Sequence, residues 1–309
     1  MTKAASDVTV CRISSIGKRG VLVIGKDDEE TSAVVAGSIY QSMKPVPGDR
    51  VETVLKGDQL VVERILPRGS VLERTSPLGK SHIIAANLDR VLIVVSISDP
   101  PLRTGFIDRA LAASEWRSLK ASIVVNKIDL VLSREDRRLL SEVISVYRDG
   151  AAYPVYPLSC ESGEGCAALL EDIRGETLVM TGPSGAGKTS LARLLKPGLN
   201  LRVGALNPKT SKGRHTTVSA RLVPLGDGTS LIDTPGLRMF SIEHIPTDRL
   251  QDCFPEFEPY LGRCSFRNCR HLSEPGCAVK EACSQGAVAE QRYLSYCGFM
   301  KDAMEGSSR

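Results

Sequence analysis

Aromatic residues are scarce in this 309-residue chain, making up 5% of it with a single tryptophan. Positions 8–68 hold only Tyr40, so that stretch lacks the row of rings on which single-stranded nucleic acid stacks. Long apolar runs are also missing. The most apolar stretch, Val91–Ile97, covers about seven residues, whereas a membrane-spanning helix needs roughly 20. No membrane association is therefore expected. The first ten residues, MTKAASDVTV, have no apolar core of signal-peptide length. Nine cysteines without such a signal point to a reducing compartment, where thiols serve as core residues or metal ligands. A cytoplasmic protein is expected.

Acidic residues are absent from the fifty positions between Thr177 and Gly226. The same stretch carries Lys188, Arg193, Lys196, Arg202, Lys209, Lys212, Arg214 and Arg221. The net charge of +4 is too small to indicate a polyanion partner, but this local block attracts phosphates, of a nucleotide or of RNA.

The hydrophobic pattern divides the chain into three parts. Residues 8–68 read as short strands broken by turns: Val8–Ile13, Val21–Ile24, Val34–Ile39, Val51–Leu55 and Leu60–Ile65. Such spacing predicts a small β-barrel over residues 1–75. Its charges nearly cancel, with eleven basic and ten acidic residues up to Thr75, so contact with RNA there would run through phosphate and shape. Residues 76–240 alternate apolar strands with helical patterns, predicting an α/β domain with a mostly parallel sheet covered on both faces. One of its helices should start at Ser133, which forms a capping box with Asp136. Residues 241–309 are dense in cysteine and proline and end in a helix near Val288–Met304.

Chemistry concentrates in the second part. Gly182, Pro183, Ser184, Gly185, Ala186, Gly187, Lys188 and Thr189 fit G-x-x-x-x-G-K-[ST] directly after an apolar strand. Glycine lets backbone N–H groups turn toward phosphates without a Cβ clash, and the helix beginning at Lys188, with Ser190 in its first turn, adds its positive end. Lys188 should reach the β- and γ-phosphates, and the Thr189 hydroxyl should ligate Mg²⁺. Asn126, Lys127, Ile128 and Asp129 end another strand. A carboxylate at Asp129 can accept both the ring N–H and the amino group of guanine, a donor pair that adenine lacks. That argues against an ATPase or a small-molecule kinase. Ser159 and Cys160 close the next strand and suit a third base-side loop, where a small side chain lets a backbone N–H approach the guanine carbonyl. Asp233 and Gly236, in Asp-Thr-Pro-Gly, fit a loop that holds a Mg²⁺-bound water and senses the γ-phosphate. Between these elements lies Gly-Arg-His-Thr-Thr, where Thr216 or Thr217 is placed to complete Mg²⁺ coordination.

The order of these motifs is permuted. Ordinary GTPases begin with the phosphate loop, whereas here the base-recognition elements at 126 and 159 precede the loop at 182 and the Asp233 motif. Joining the usual ends and cutting elsewhere leaves every strand in place. Downstream, Cys264, Cys269, His271 and Cys277 follow C-x4-C-x-H-x5-C. Three thiolates and an imidazole suit a closed tetrahedral Zn²⁺ site, one ion per chain, stapling a loop-rich segment. Buried structural cysteines are the competing reading, with Cys283 and Cys297 as rival ligands.

The permuted order, the GRHTT loop and the cysteine–histidine spacing together resemble the ribosome small-subunit-dependent GTPase A family. The resemblance covers nearly the whole chain. It implies an OB-fold barrel, a circularly permuted GTPase domain and a zinc-bearing helical C-terminal domain. It further implies a monomeric GTPase that binds GTP and GDP, small ribosomal subunits and their rRNA, assists late subunit maturation, and hydrolyses GTP when the subunit stimulates it. The position after Asp-Thr-Pro-Gly is Leu237, and an apolar side chain cannot orient water. His215 is the nearest substitute as a catalytic residue, or else it contacts RNA or solvent. The alternative function is a GTP-regulated switch acting on another RNA or protein through its zinc domain.

Overall fold

A computed structural model describes residues 8–18, 20–75, 81–199, 220–234 and 241–306. By its contacts the chain divides into two compact units. One comprises Met1–Arg90, Leu170–Met180 and Ala192–Met239, the other Val91–Leu169, Thr181–Leu191 and Phe240–Arg309.

The first unit opens with a closed five-stranded barrel. Its strands are β1 (Thr9–Ile16), β2 (Val21–Ile24), β3 (Glu30–Val35), β4 (Arg50–Lys56) and β5 (Gln59–Ile65), in the order β1-β2-β3-β5-β4. All pairs are antiparallel except β3 with β5. Alternation places Cys11, Ile13, Val21, Val23, Ala33, Val35, Val51 and Val62 in one interior cluster, as a half-buried strand pattern requires. The expected strand through Ile39 stops at Val35, and Gly37–Ser42 forms a short helix, α1. Ile39 still reaches the barrel core, 6% exposed. Periodicity records only that Ile39 is buried, and one turn of helix buries it as well as a strand does.

The turn Pro47-Gly48-Asp49 fastens the barrel to the backbone at Ala86. Gly48 has φ +88°, and a Cβ there would lie 2.0 Å from the Ala86 carbonyl oxygen, so only glycine fits. Asp49, fully buried, accepts from Arg68 through both oxygens at 2.7 and 2.8 Å and from the Val46 N–H at 2.8 Å. Two strands not anticipated from the sequence, β6 (Val71–Thr75) and β7 (Ser81–Ala86), pair antiparallel.

A six-stranded sheet has the order β10-β9-β8-β11-β13-β12. Its members are β8 (Arg90–Val95), β9 (Lys120–Val125), β10 (Val155–Pro157), β11 (Thr177–Thr181), β12 (Arg221–Gly226) and β13 (Thr229–Asp233). The pairs β9/β10 and β11/β13 are parallel. The edge strand β12 is antiparallel to β13, so the sheet is mixed. Every residue of Arg90–Val95 is buried, which explains its unbroken apolar run. At its start, Arg90 pairs with Glu176 (Nε to Oε2, 2.6 Å) and with Asp172.

Helices flank these strands: α2 (Thr104–Glu115), α3 (Arg134–Val143), α4 (Cys166–Asp172) and α5 (Lys188–Leu195). The capping box at α3 is formed. Ser133 Oγ accepts from the Asp136 N–H at 2.9 Å, and Asp136 Oδ2 accepts from the Ser133 N–H at 3.3 Å. A π-helical segment, Ile144–Gly150, continues α3. The C-terminal part comprises two 3₁₀ turns (Leu250–Cys253 and Pro255–Tyr260) and helices α6 (Ala278–Ser284) and α7 (Glu290–Gly306). No helix among the described residues is long and apolar enough to cross a membrane.

Candidate functional site

Two strand ends and one glycine loop meet at Asn126. It follows β9 directly, and its side chain is buried. Asn126 Nδ2 donates to the Ala186 carbonyl at 3.0 Å, and its Oδ1 accepts from the Cys160 N–H at 3.1 Å. One amide thus ties the Gly182–Thr189 loop to the Ser159–Cys160 loop. The fit is tight: Gly187 has φ +96°, and a Cβ there would lie 2.0 Å from Asn126 Nδ2. The glycine is required both by its backbone and by the amide packed against it.

Around this bridge the loops are self-supporting. Lys188 Nζ donates to the Gly182 and Pro183 carbonyls, each at 2.7 Å, which holds the ammonium over the glycine turn. Burial lowers the Lys188 pKa, so an anion at this loop would be favoured for restoring its charge balance. Thr189 and Ser190 occupy the first turn of α5. Ser159 is fully buried, and its Oγ accepts from the Glu161 and Ser162 N–H groups, both at 3.2 Å. Burial pushes the Cys160 thiol up to about 12. It therefore stays neutral. The Cys160 N–H, a candidate donor to a base, is engaged here by Asn126.

Lys127 adopts a left-handed conformation, φ +64°. Its Nζ donates to the Asp99 carbonyl at 2.9 Å and pairs with Asp99 Oδ2 at 3.0 Å. The Ile128 N–H donates to Leu158 at 3.3 Å, leaving Asp129 exposed on a 3₁₀ turn beside the Cys160 loop. Asp233 ends β13, and the register Val179↔Ile232 sets it level with Met180, one residue before the strand end that leads into the glycine loop. His215, Thr216, Thr217 and Gly236 lie outside the described residues.

The second constellation is Cys264, Cys269, His271 and Cys277, whose ligand atoms all lie within 4.8 Å of one another. Sγ of Cys264 and Cys277 are 3.9 Å apart, and His271 Nδ1 is 3.5 and 3.3 Å from them. Metal–sulfur bonds of about 2.3 Å and metal–nitrogen bonds of about 2.0 Å give tetrahedral edges of roughly 3.8 and 3.5 Å, so Cys264, Cys277 and His271 fit three corners of a tetrahedral ion, with Cys269 beside them. The imidazole is oriented for the task. His271 Nε2 faces Gln251 Oε1 at 2.9 Å, and donating that proton leaves Nδ1 bare toward the sulfurs. Burial lowers the His271 pKa, keeping the ring neutral. N–H groups of Ala278 and Lys280 point at the sulfurs of Cys264 and Cys277, at 3.4 and 3.5 Å. Burial pushes the Cys269 thiol up to about 12, a cost that a bound cation removes. This cluster can hold a metal ion.

A third feature has no signature in the sequence. Arg292 on α7 is fully buried, with Asp108 of α2 at 2.9 Å and Glu256 gripping it through both carboxylate oxygens at 2.6 and 3.2 Å. The guanidinium also lies 4.6 Å from the Phe254 ring centre. Tyr147 donates to Asp108 at 2.9 Å and accepts from Gln291 at 2.7 Å, and Ser295 donates to Asp108 as well. Burial by itself lowers the Arg292 pKa, but Glu256 and Asp108 outweigh it and hold the guanidinium charged. As a letter in the chain, this residue looks like any arginine on an amphipathic helix.

Comparison with known proteins bears on this arrangement. The family model described as RsgA GTPase matches residues 65–243, more than half of the chain. The chain belongs to the RsgA GTPase family. It is therefore a GTP-hydrolysing enzyme. A curated relative, "Small ribosomal subunit biogenesis GTPase RsgA" of Gemmatimonas aurantiaca, is 39% identical over 93% of this chain and 94% of its own length. Among solved structures, YjeQ from Thermotoga maritima matches this RsgA-family chain with a TM-score of 0.82 at 30% identity, over 96% of this chain and 99% of its own. YloQ, described as a circularly permuted GTPase, has the same fold, with a TM-score of 0.78 at 24% identity over 97% and 96% of the two chains. The permuted motif order therefore sits on the fold that the family uses.

Proposed function

We propose that this chain binds the small ribosomal subunit and its rRNA, assists a late step of subunit maturation, and hydrolyses GTP to GDP and phosphate when the subunit stimulates it. The observation that carries the enzymatic reading is the Asn126 bridge, which fastens the phosphate loop to the base-side loops. The subunit enters through the relative from Gemmatimonas aurantiaca, named for small-subunit biogenesis.

In this reading Gly182 to Ser190 wrap the phosphates with backbone N–H groups, and Lys188 swings from its two loop carbonyls to the β- and γ-phosphates. Asp129 reads the guanine edge, and Ser159 and Cys160 wall the base. Thr189, Asp233 and one of Thr216 and Thr217 hold Mg²⁺, which supplies charge neutralisation on the phosphates. Gly236 senses the γ-phosphate, and His215 positions the attacking water, which the apolar Leu237 cannot do. A Zn²⁺ ion held by Cys264, Cys269, His271 and Cys277 plays a structural part, since four protein ligands leave no open position. The protein works as a monomer in the cytoplasm.

The deciding experiment measures GTP turnover with and without purified small subunits. Several-fold stimulation is expected and should vanish in His215→Ala, whose subunit binding persists. A turnover indifferent to subunits would favour a switch acting on another RNA or protein.

A further inference from the structure

The N-terminal barrel has too few rings to stack bases, but an exposed ring stands in the metal loop. Phe266, between Cys264 and Cys269, is 48% exposed, and an exposed phenylalanine at a loop tip does nothing for the core. Its neighbours Arg263, Arg267, Asn268 and Arg270 are all exposed. No acidic residue occurs between Pro259 and Ser273. The next one, Glu274, is turned inward, where its carboxylate accepts from the N–H groups of Arg270, Leu272 and Ser273 at 2.8, 2.9 and 3.1 Å. Among the described residues, Arg263 and Arg267 make no ion pair, so their charge is available to a partner.

The tip is also held in shape. The Ser265 N–H donates to Gly276 at 3.0 Å, the Cys269 N–H donates to Phe266 at 3.3 Å, and the metal cluster closes the loop from within. A ring presented on a fixed backbone loses little freedom on binding.

We propose that the Cys264–Cys269 loop is an RNA contact in which an unpaired nucleobase stacks on Phe266 while Arg263, Arg267 and Arg270 hold the flanking phosphates. An exposed ring flanked in sequence by exposed arginines, in a stretch without acidic residues, matches the two faces of a single-stranded nucleotide. An apolar pocket on a protein partner would take the ring but leave three arginines without counter-charges. The inference rests on the proposed small-subunit partner and adds to it the residue and the kind of nucleotide contacted.

The test uses the full-length protein. Sedimentation with small subunits first establishes whether the wild type binds; failure there overturns the partner and leaves the loop to be judged on RNA alone. Binding of a fluorescein-labelled single-stranded RNA of mixed sequence is measured in parallel. Phe266→Ala should weaken RNA binding at least about fivefold, whereas Phe266→Trp should retain it and lose indole fluorescence on adding RNA. Phe266→Leu separates the two partner classes. It should bind RNA as poorly as the alanine variant, because it is apolar but has no ring face. Unchanged thermal midpoints verify that these surface variants fold. Affinity for RNA within twofold of wild type in both Phe266→Ala and Phe266→Leu would overturn the proposal. So would a leucine variant that keeps subunit binding while the alanine variant loses it, since that points to a protein pocket.

Discussion

Replacing Asn126 by alanine removes one side-chain amide and strands two backbone groups, one buried and one partly buried. The Ala186 carbonyl loses its donor and the Cys160 N–H loses its acceptor. Each unmet group costs about 1–3 kcal/mol when water cannot replace the partner. With some water entering the smaller side chain's space, the sum should come to about 2–4 kcal/mol, spread between global stability and the placement of the loops. If half of it falls on the loops, guanine-nucleotide affinity drops roughly five- to thirtyfold. Asn126→Asp should be at least as damaging, because an oxygen then faces the Ala186 carbonyl where a donor stood. Urea unfolding gives the stability term, and titration with a fluorescent GDP analogue gives the binding term. Asp129→Asn is the control: its side chain is exposed, so stability should hold while preference shifts from guanosine to xanthosine triphosphate. Asn126→Ala with unchanged unfolding and GDP affinity within twofold of wild type would refute the bridging role.

Two further outcomes concern the C-terminal half. Arg292→Met leaves Asp108 and Glu256 as uncompensated buried carboxylates and should cost about 3–5 kcal/mol in urea unfolding. Adding Asp108→Asn and Glu256→Gln should recover much of it, and no loss in the single variant would show the network to be dispensable. For the metal cluster, Cys264→Ser should release the ion, measured as metal per chain, and lower the unfolding temperature. A chelator should do the same to the wild type, and full metal retention by the serine variant would exclude Cys264 as a ligand.

The amino-acid pattern made the central elements readable because they are local. The glycine loop, the Ser133–Asp136 capping box and the strand Thr177–Thr181 each depend on a few consecutive residues. The helix at Ile39 was not readable, since burial in a strand and burial in one helical turn leave the same apolar mark. The antiparallel edge strand Arg221–Gly226 has exposed and buried residues in alternation, but it comes after a long basic stretch that masks its start. The Asn126 bridge was legible as a residue and not as a geometry. Its partners lie 34 and 60 positions away, and nothing at either position announces them. Gln251, which orients His271, and Arg292 are long-range partners of the same kind.

The Arg292–Asp108 pair spans 184 positions, which carries a consequence for how the chain is made. During synthesis the N-terminal segments emerge first and begin to fold. Asp108 and Tyr147 must then wait for α7 to leave the ribosome before their buried polar atoms find Arg292, Gln291 and Ser295. Until that moment the face of α2 stays open to water. Closing it requires residues 290–295 to have been made, and a chain cut short before residue 290 lacks the closing piece.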